Sequence, residues 1–301
     1  MMKMSPTKVG SRGFVFTFDD LSTPEVACPT NVYLIDGKKH IFLCDTFLGP
    51  QSMEQIIAFM KRELEEKPLV IFNSHYDYDH HWGNCAFSKY EMILSSKFCY
   101  ERMAAVGEAE LKLYEKWKRG NVKIVLPTKV FEKDYTFPDD GVKFFHSPGH
   151  THDSSSCYDE VDKILFAADN VEEPIPYVRS DLEGIQTYLK TLKGYLEYDF
   201  TTLIPGHGSI SDQRLLKTNL SYLANLLDEN DGSLNLLLKD DHSKAIHLQN
   251  LYTIAEEYVK KSKNNLAIKF LQRTIEFANK EHLLDASIIT KLEGKISNLK
   301  K

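Results

Sequence analysis

The sequence predicts a layered α/β fold followed by an all-helical C-terminal segment. Short β-rich runs such as Phe14–Phe18 alternate with helical patterns over about residues 14–227. One run, Leu69–Phe72, is apolar at every position, which is typical of a strand that is buried on both faces. Beyond the polar stretch Asp228–Ser233, only helical patterns remain. Hairpins and crossover helices together indicate sheets with helices packed outside them.

The strands and helices can be placed in order from their hydrophobic periodicity. Asp36 and Gly37 predict a hairpin turn between the strands Val32–Ile35 and Ile41–Cys44. Later strands are predicted at Leu69–Phe72, Met92–Leu94, Val122–Val125, Val142–Phe145, Ile164–Ala167 and Thr202–Ile204. Helices are predicted at Pro50–Leu64, Lys97–Lys118, Leu182–Leu196, Asp212–Leu227, Ala245–Lys261, Asn265–Asn279 and Asp285–Leu299.

These patterns divide the chain into two units. Residues 1–230 are expected to form the α/β domain, and residues 234–301 a helical C-terminal appendage. The three amphipathic helices of the appendage resemble a helical-repeat hairpin such as a tetratricopeptide unit, although about three repeats are needed for a stable array. We expect the appendage to pack against the main domain or to mediate a homodimer, and to be separable from the chemistry.

Composition and charge restrict the partners and the compartment. The formal net charge is −6, which argues against nucleic acid as a partner because phosphate binding needs a basic surface. No apolar run approaches the roughly 20 residues of a membrane helix, so no membrane partner is expected. The N-terminus lacks the apolar segment of a secretory signal. The five cysteines show no C-x-x-C pairing, so we expect a reducing, cytoplasmic compartment.

Four metal-capable side chains lie within six residues, directly after the buried strand Leu69–Phe72. They are His75, Asp77, Asp79 and His80. Folds of the α/β class build their sites at the carboxyl ends of strands, and alternate residues of an extended segment point the same way. Imidazole and carboxylate are suitable ligands for Zn²⁺, Fe²⁺ and Mn²⁺. The segment is therefore a candidate metal site.

Three later segments repeat this arrangement at the ends of predicted strands. His150 lies in the letters SPGHTH, Asp169 ends LFAAD, and His207 lies in LIPGHG. Glycine and proline beside the two histidines allow the backbone to turn sharply after each strand. Each segment thus places one His or Asp just past a hydrophobic strand.

The order of these segments resembles the metallo-β-lactamase superfamily, whose pattern is H-x-H-x-D-H, then PGH, then an Asp at a strand end, then GH. The resemblance covers about residues 14–227. It implies an αβ/βα sandwich that holds two divalent metal ions, with Zn²⁺ expected. The first ion would be held by His75, Asp77 and His150, the second by Asp79, His80 and His207, and both by a bridging Asp169. Asp79 would also act in catalysis, by orienting the attacking metal-bound hydroxide.

The chain departs from the superfamily pattern at two positions. Ala168 stands where Gly usually precedes the bridging Asp, and little consequence is expected. Asp77 stands where the second His is usual. It adds a negative charge and a hard oxygen donor, which favours Fe or Mn, and it resembles the Glu of flavodiiron proteins at this point. If Asp77 is not a ligand, only one ion is expected to bind.

Together these residues predict a metal-dependent hydrolase of a small-molecule substrate with an ester, thioester, lactone, amide or phosphoester bond. Two alternatives stay open. One is a diiron redox protein that handles O₂ or NO, and the other is a non-catalytic metal-binding protein whose helical tail binds a partner. The substrate pocket is expected from loops such as Lys97–Arg119, which carry no motif that names the substrate.

Residues that lie near the motifs in the sequence, and the remaining histidines, are not expected to bind the metal ions directly. The histidines next to the ligands are expected to orient them or to lie at the surface; these are His81, His146 and His152. Trp82 is expected to pack in the interior. Candidates for the pocket are Tyr158, Tyr177 and Arg179. The remaining histidines are expected at the surface: His40, His242, His247 and His282.

Overall fold

The structure, a computed structural model, describes residues 5–23, 27–228 and 234–301. Two β-sheets face each other, and the aromatic side chains between them include Phe42 and Phe72 from one sheet and Phe144 and Phe166 from the other. Such side chains pack well on pleated surfaces. The apolar run Leu69–Phe72 is a central strand of the first sheet, as its sequence predicts.

Within the described residues, the first sheet has seven strands that lie side by side in sequence order. They are β1 Thr7–Val9, β2 Gly13–Phe18, β3 Thr30–Asp36, β4 Ile41–Cys44, β5 Leu69–Phe72, β6 Met92–Ser96 and β7 Lys129–Phe131. The pairs from β1 to β4 are antiparallel, and those from β4 to β7 are parallel. The predicted hairpin at Asp36 and Gly37 joins β3 and β4.

The described part of the second sheet has five strands in the order β12-β11-β10-β9-β8. They are β8 Asp134–Phe137, β9 Val142–His146, β10 Ser155–Asp159, β11 Ile164–Ala168 and β12 Thr202–Pro205. Only the pair of β11 and β12 is parallel among these strands.

The helices lie outside the two sheets. They are α1 Pro50–Glu63, α2 Tyr78–His81, α3 Lys97–Leu113, α4 Leu182–Tyr195, α5 Gln213–Asp228, α6 Asp241–Lys260, α7 Asn264–Glu281 and α8 Ala286–Leu299. Side-chain caps mark where three of them begin: Ser96 Oγ accepts from Cys99 N before α3, Asp181 accepts from Gly184 N before α4, and Asp240 forms a capping box before α6. No helix of the described ranges has the length and apolar character to cross a membrane.

Three apolar layers show that this is an αβ/βα sandwich. Met53 and Ile56 of α1 pack on the outer face of the first sheet, against residues such as Leu43. The outer face of the second sheet is covered by α4 and α5, where Leu165 and Leu203 point outward. The predicted fold class is confirmed, including the C-terminal helices.

The C-terminal helices share the largest of these apolar clusters with α4 and α5. Leu251 and Ile254 of α6 and Phe270 of α7 are fully buried in that cluster. His247 of α6 is also buried, with its Nδ1 3.0 Å from Tyr222 Oη, so its expected place at the surface is wrong. The independence of residues 1–230 and 234–301 as folding units stays a prediction, and most of the predicted linker, residues 229–233, lies outside the described residues.

One predicted strand is wrong, and one predicted helix is shorter. Residues 122–125 form no strand, because Val122 packs beside Trp82 while the Val125 carbonyl accepts from Asn84 Nδ2 at 3.1 Å. The strand that pairs with β6 is instead β7, a few residues later. The helix predicted to reach Lys118 ends at Leu113 and is followed by a 3₁₀ turn.

Candidate metal centre

The segments that carry the predicted ligands meet at one edge of the sandwich. Strand β5 leads into residues 73–80, β9 into His150, β11 into Asp169 and β12 into His207. In the first sheet, β5 runs parallel to β4, which leads into Asp45. In the second sheet, β11 and β12 are parallel, and β9 runs in the same direction because both β9 and β11 are antiparallel to β10. The carboxyl ends of these strands therefore lie at the same edge. A bridge between Thr30 and His207 joins the two sheets at this edge.

Small residues allow these segments to approach closely. A Cβ atom on Gly206 would lie 1.8 Å from Asp169 Oδ1, so only glycine fits directly before His207. Ala168 has a φ of 47°, in the left-handed region that costs an alanine about 1–2 kcal/mol. The usual glycine would avoid this cost, so the departure at Ala168 has more consequence than its size suggests.

Asp169 lies at the centre of the cluster. Its carboxylate oxygens lie 3.4 Å from His75 Nε2, 3.2 Å from His80 Nε2, 3.8 Å from His150 Nε2 and 3.4 Å from His207 Nε2. A carboxylate that faces four imidazoles in this way is placed where a ligand shared by two ions would have to lie.

Asp77 completes one set of candidate ligands. Its Oδ2 atom lies 3.5 Å from both His75 Nε2 and His150 Nε2. The same oxygen accepts a short hydrogen bond from Arg179 Nη1, a contact that the sequence did not reveal. The other ring nitrogen of His150, Nδ1, lies 3.3 Å from the Tyr177 carbonyl oxygen, a contact that orients the imidazole. The candidate ligand atoms of this set, with Asp169, lie within 4.8 Å of one another.

Asp79 completes the other set. Its Oδ2 atom lies 3.5 Å from His80 Nε2 and 3.4 Å from His207 Nε2. The Nδ1 atom of the same His207 ring lies 3.2 Å from Thr30 Oγ1 and 3.3 Å from Cys28 Sγ. The seven residues predicted from the sequence thus lie together in the two predicted sets, with Asp169 between them, while their roles as ligands stay a prediction.

Asp45 holds two of the imidazoles in place. It directly follows β4 and accepts hydrogen bonds from His80 Nδ1 at 2.8 Å, Ser74 N at 2.8 Å and Ser74 Oγ at 2.7 Å. Ser74 Oγ in turn lies 2.9 Å from His75 Nδ1. Hydrogen bonds at Nδ1 fix each ring so that Nε2 faces the cluster. The strand-end position of Asp45 is a signal that sequence reasoning could have used.

The donor atoms fit divalent metal ions. Several buried side-chain atoms of the described residues have no hydrogen-bond partner, and four of them belong to the candidate ligands: His75 Nε2, His80 Nε2, His150 Nε2 and Asp169 Oδ1. A buried polar atom without a partner is costly, and a cation would satisfy all four. Ligands that bind a tetrahedral ion at about 2.0–2.1 Å lie roughly 3.4 Å from one another, which is close to the separations observed.

The charges of the cluster are strongly coupled. Burial and the neighbouring His80 lower the pKa of His75, but Asp169 and Asp77 outweigh them and raise it to about 10. Burial raises the pKa of Asp169, yet the surrounding imidazoles, His80 first, hold it well below its usual range. Because the carboxylates favour protons on the imidazoles, metal binding must displace protons and should strengthen as the pH rises.

The cluster opens into a pocket of about 1160 Å³. One wall is aromatic, with Phe98, Tyr114 and Trp117 from the segment that the sequence assigned to the pocket. Residues of α6 such as Gln249 and Thr253 also line the pocket, which the sequence did not lead us to expect. The C-terminal helices therefore border the candidate site rather than lying apart from it.

Two of the three other pocket candidates line this space. Tyr177 and Arg179 do so, whereas the Tyr158 hydroxyl donates to the Asp199 carbonyl oxygen at 2.9 Å, outside the pocket. Sequence reasoning missed Glu172, which also lines the pocket and whose carboxylate forms a third set with Asp169 and His207. Burial, followed by the charge of Asp169, raises the pKa of Glu172 to about 8.

The histidines beside the ligands differ in their surroundings. His146 Nε2 donates to the His152 carbonyl oxygen at 2.8 Å, and His152 itself is exposed. His81 is buried, and burial lowers its pKa to about 3, so that it stays neutral. Trp82 is fully buried, as expected of a packing residue.

Comparison with known proteins identifies the class. Residues 26–207 match the family model described as the metallo-beta-lactamase superfamily. That match covers more than half of the chain, and the chain belongs to this superfamily.

Individual relatives are distant. The chain is 27% identical over 184 residues to an N-acyl homoserine lactonase from a Bacillus species, an alignment that covers 56% of this chain and 68% of the lactonase. It is 24% identical over 183 residues to the lactamase-like protein aptB of Emericella nidulans, covering 61% of this chain and 52% of that protein. The chain thus spans about half to two thirds of these relatives.

Solved structures agree on the fold. A metallo-beta-lactamase from Pontibacter korlensis has a TM-score of 0.56 at 22% identity, over 74% of this chain and 99% of that chain. A metallo beta lactamase from Hirschia baltica has a TM-score of 0.57 at 18% identity, over 73% and 97%. The parts of this chain left uncovered amount to roughly the size of the C-terminal helices.

Proposed function

We propose that this protein is a metal-dependent hydrolase with two divalent ions, most simply Zn²⁺. The observation that carries the proposal is Asp169, whose carboxylate faces four imidazole Nε2 atoms at 3.2–3.8 Å. The first ion would be held by His75, Asp77 and His150, and the second by Asp79, His80 and His207, with Asp169 as a ligand available to both. The proposal is supported by the unpartnered donor atoms and by membership of the superfamily.

The residues of the chain have distinct tasks in this proposal. The two ions would supply a water of lowered pKa and would polarise the bond that is cleaved. Asp79 lines the pocket, and its carboxylate would accept a hydrogen bond from such a water and orient it. The aromatic wall of Tyr114 and Trp117 excludes solvent and packs on the apolar part of a small-molecule substrate.

A carboxylic ester is the first bond to test. The name of one relative, an N-acyl homoserine lactonase, specifies hydrolysis of a cyclic ester. Lactones and simple esters therefore precede thioesters, amides and phosphoesters in the order of testing. The aromatic wall favours substrates with an acyl or aryl group over small polar ones.

One observation keeps the diiron redox alternative as a second candidate. The Asp77 carboxylate is a hard donor in the first set, which favours Fe or Mn. Arg179 opposes this effect, because its guanidinium lies on the same oxygen and balances the added charge. The pair Asp77 and Arg179 has the net charge of a neutral imidazole, so zinc hydrolysis remains the preferred proposal.

The experiment combines metal analysis with a substrate panel. Protein expressed without added metal should contain about two ions per chain, predominantly zinc, and should hydrolyse lactones or esters. Removal of the ions with a chelator should abolish turnover and lower Tm, because a ligand at a thousand times its Kd stabilises the native state by about 4 kcal/mol. Iron with a spectral change under O₂ or NO would support the redox alternative. Full metal content without turnover on any substrate class would support the alternative of a non-catalytic metal-binding protein.

A further inference from the structure

The segment between β11 and α4 supplies two groups to the first metal position. The Tyr177 carbonyl oxygen lies 3.3 Å from His150 Nδ1. Two residues later, Arg179 contacts Asp77 Oδ2 and also donates from Nη2 to the Tyr76 hydroxyl at 3.2 Å. The course of this segment therefore determines how two of the candidate ligands, His150 and Asp77, are oriented.

One side chain of the C-terminal helices helps to hold that course, together with Glu172, whose Oε2 accepts from Tyr177 N at 2.7 Å. Asn250 of α6 is fully buried, and its Oδ1 accepts from Val178 N at 2.8 Å. Its Nδ2 donates to the Pro176 carbonyl oxygen at 2.8 Å and to Tyr222 Oη at 2.9 Å. The two backbone groups that it holds lie on either side of Tyr177, whose carbonyl faces His150.

We propose that Asn250 is a positioning residue for the first metal position, acting from the C-terminal helices through residues 176–179. This inference rests on the proposed function, since it concerns the ion assigned to His75, Asp77 and His150. At the second position, the described residues that contact the Nδ1 atoms of His80 and His207 are Asp45, Thr30 and Cys28, which belong to the first sheet and the segment that leads into it rather than to residues 176–179.

The hydrogen bonds give the proposal a physical basis. Replacing Asn250 with Ala leaves the Val178 amide and the Pro176 carbonyl buried without their partner, which is unfavourable. The segment should shift toward other partners, and the Tyr177 carbonyl and the Arg179 guanidinium move with it. Partners that orient metal ligands are worth about 10- to 100-fold in metal affinity. A loss of at least tenfold is therefore expected at the first position.

A purely structural role for Asn250 makes a different prediction. Ile254 lies one turn later on α6 and is also fully buried, but it packs in the apolar cluster. Ile254→Ala should destabilise the fold but leave in place the hydrogen bonds of Asn250 to Val178 N and the Pro176 carbonyl oxygen. Asn250→Asp is the companion of Asn250→Ala, because it keeps the side-chain volume and the acceptor for Val178 N but places a carboxylate oxygen where the amide donor faced the Pro176 carbonyl.

The test measures metal content and cobalt absorption spectra of the full-length variants at a temperature well below every Tm. Wild type and Ile254→Ala should hold two ions. Asn250→Ala and Asn250→Asp should hold about one after dialysis against a weak chelator. Their cobalt spectra should match that of Asp77→Ala rather than that of Asp79→Ala. If Asn250→Ala fails to fold, Asn250→Asp carries the test.

The outcomes separate this inference from the proposed function. Two tightly held ions in Asn250→Asp, or equal loss from both positions, would overturn the role of Asn250 while leaving the hydrolase proposal intact. Equal losses in Ile254→Ala and the Asn250 variants would also overturn it, because stability alone would then explain the effect. A wild-type chain without metal would instead refute the proposed function, and this inference with it.

Discussion

Two regions of the molecule meet at the pocket, and they bury opposite kinds of side chain. The strand-end loops bury imidazoles and carboxylates, among them His75, His80 and Asp169. The C-terminal helices bury apolar residues such as Leu251 and Phe270. Burial of charge is unfavourable unless a counter-charge is present, whereas burial of apolar area is favourable by itself. The first region should therefore depend on a cation for its stability, and the second on packing against α4 and α5.

Truncation is expected to have the largest effect. A chain that ends at Asn230 loses at least four large buried side chains from the shared cluster, which are Leu251, Ile254, Phe270 and Leu271. At about 1.5–3 kcal/mol each, the loss exceeds about 6 kcal/mol, and the exposed partners on α4 and α5 form an apolar patch. We expect an insoluble product or a steep fall in Tm, measured by calorimetry.

A shorter deletion is the control for truncation. A chain that ends at Leu283 loses only α8, where the buried apolar residues are Leu292 and Ile296, so it should stay soluble with a smaller fall in Tm. If the chain ending at Asn230 is instead soluble, with wild-type Tm and metal content, the two regions are independent domains. That outcome would support the boundary predicted from the sequence.

The same contrast explains how much of the fold could be predicted. Strands with a continuous apolar run, such as Leu69–Phe72, were placed correctly because burial on both faces leaves an unambiguous pattern. Strand β10, Ser155–Asp159, was missed because its serines are buried by hydrogen bonds and tertiary contacts rather than by apolar character. The run Val122–Val125 was wrongly predicted as a strand because three of its four residues are apolar. Val122 is buried beside Trp82, outside the sheet.

The candidate site divides in the same way. His150, Asp169 and His207 could be found because metal chemistry restricts which residues can serve, and their motifs stand at strand ends. Arg179 and Asn250 could not, because any Arg or Asn in the sequence looks alike until the fold brings it to its partner. Asp45 lies between these cases, with the right position but no motif of its own.

Removal of the central carboxylate should be the next largest effect. In Asp169→Ala the imidazoles lose the group that faces all four of them. Breaking a buried charged interaction costs about 3–5 kcal/mol, and Asp169 is the residue that we assign to both ions. We expect loss of both ions and, with them, loss of turnover, as in the protein treated with a chelator.

The control for Asp169→Ala is a histidine beside the motifs. His152 is exposed, and its only described hydrogen bond at the cluster's edge is through its carbonyl oxygen. His152→Ala should therefore keep both ions and most of the activity. Equal metal loss in the two variants would contradict the assignment of Asp169, and metal analysis by mass spectrometry decides between these outcomes.

The smallest effect expected is at Asp45, for which the chain offers a closely matched control. Asp45 and Asp140 are both buried, each accepts a backbone amide, and each accepts a histidine Nδ1, from His80 at 2.8 Å and His40 at 2.7 Å. The mutation to Asn turns one carboxylate oxygen into an amide donor that opposes the histidine N–H, and each variant should lose about 1–3 kcal/mol of stability.

Only one of these two histidines faces the candidate metal centre. Asp45→Asn should lower metal affinity by about 10- to 100-fold, because His80 loses the partner that directs its Nε2 toward Asp169. Asp140→Asn should leave metal affinity unchanged, since His40 lies at the opposite end of strand β4 from Asp45 and pairs there with Glu91. Competition against a zinc chelator measures both affinities. Equal losses would mean that stability alone controls metal binding, whereas unchanged affinity in Asp45→Asn would show that His80 needs no orienting partner, or is not a ligand.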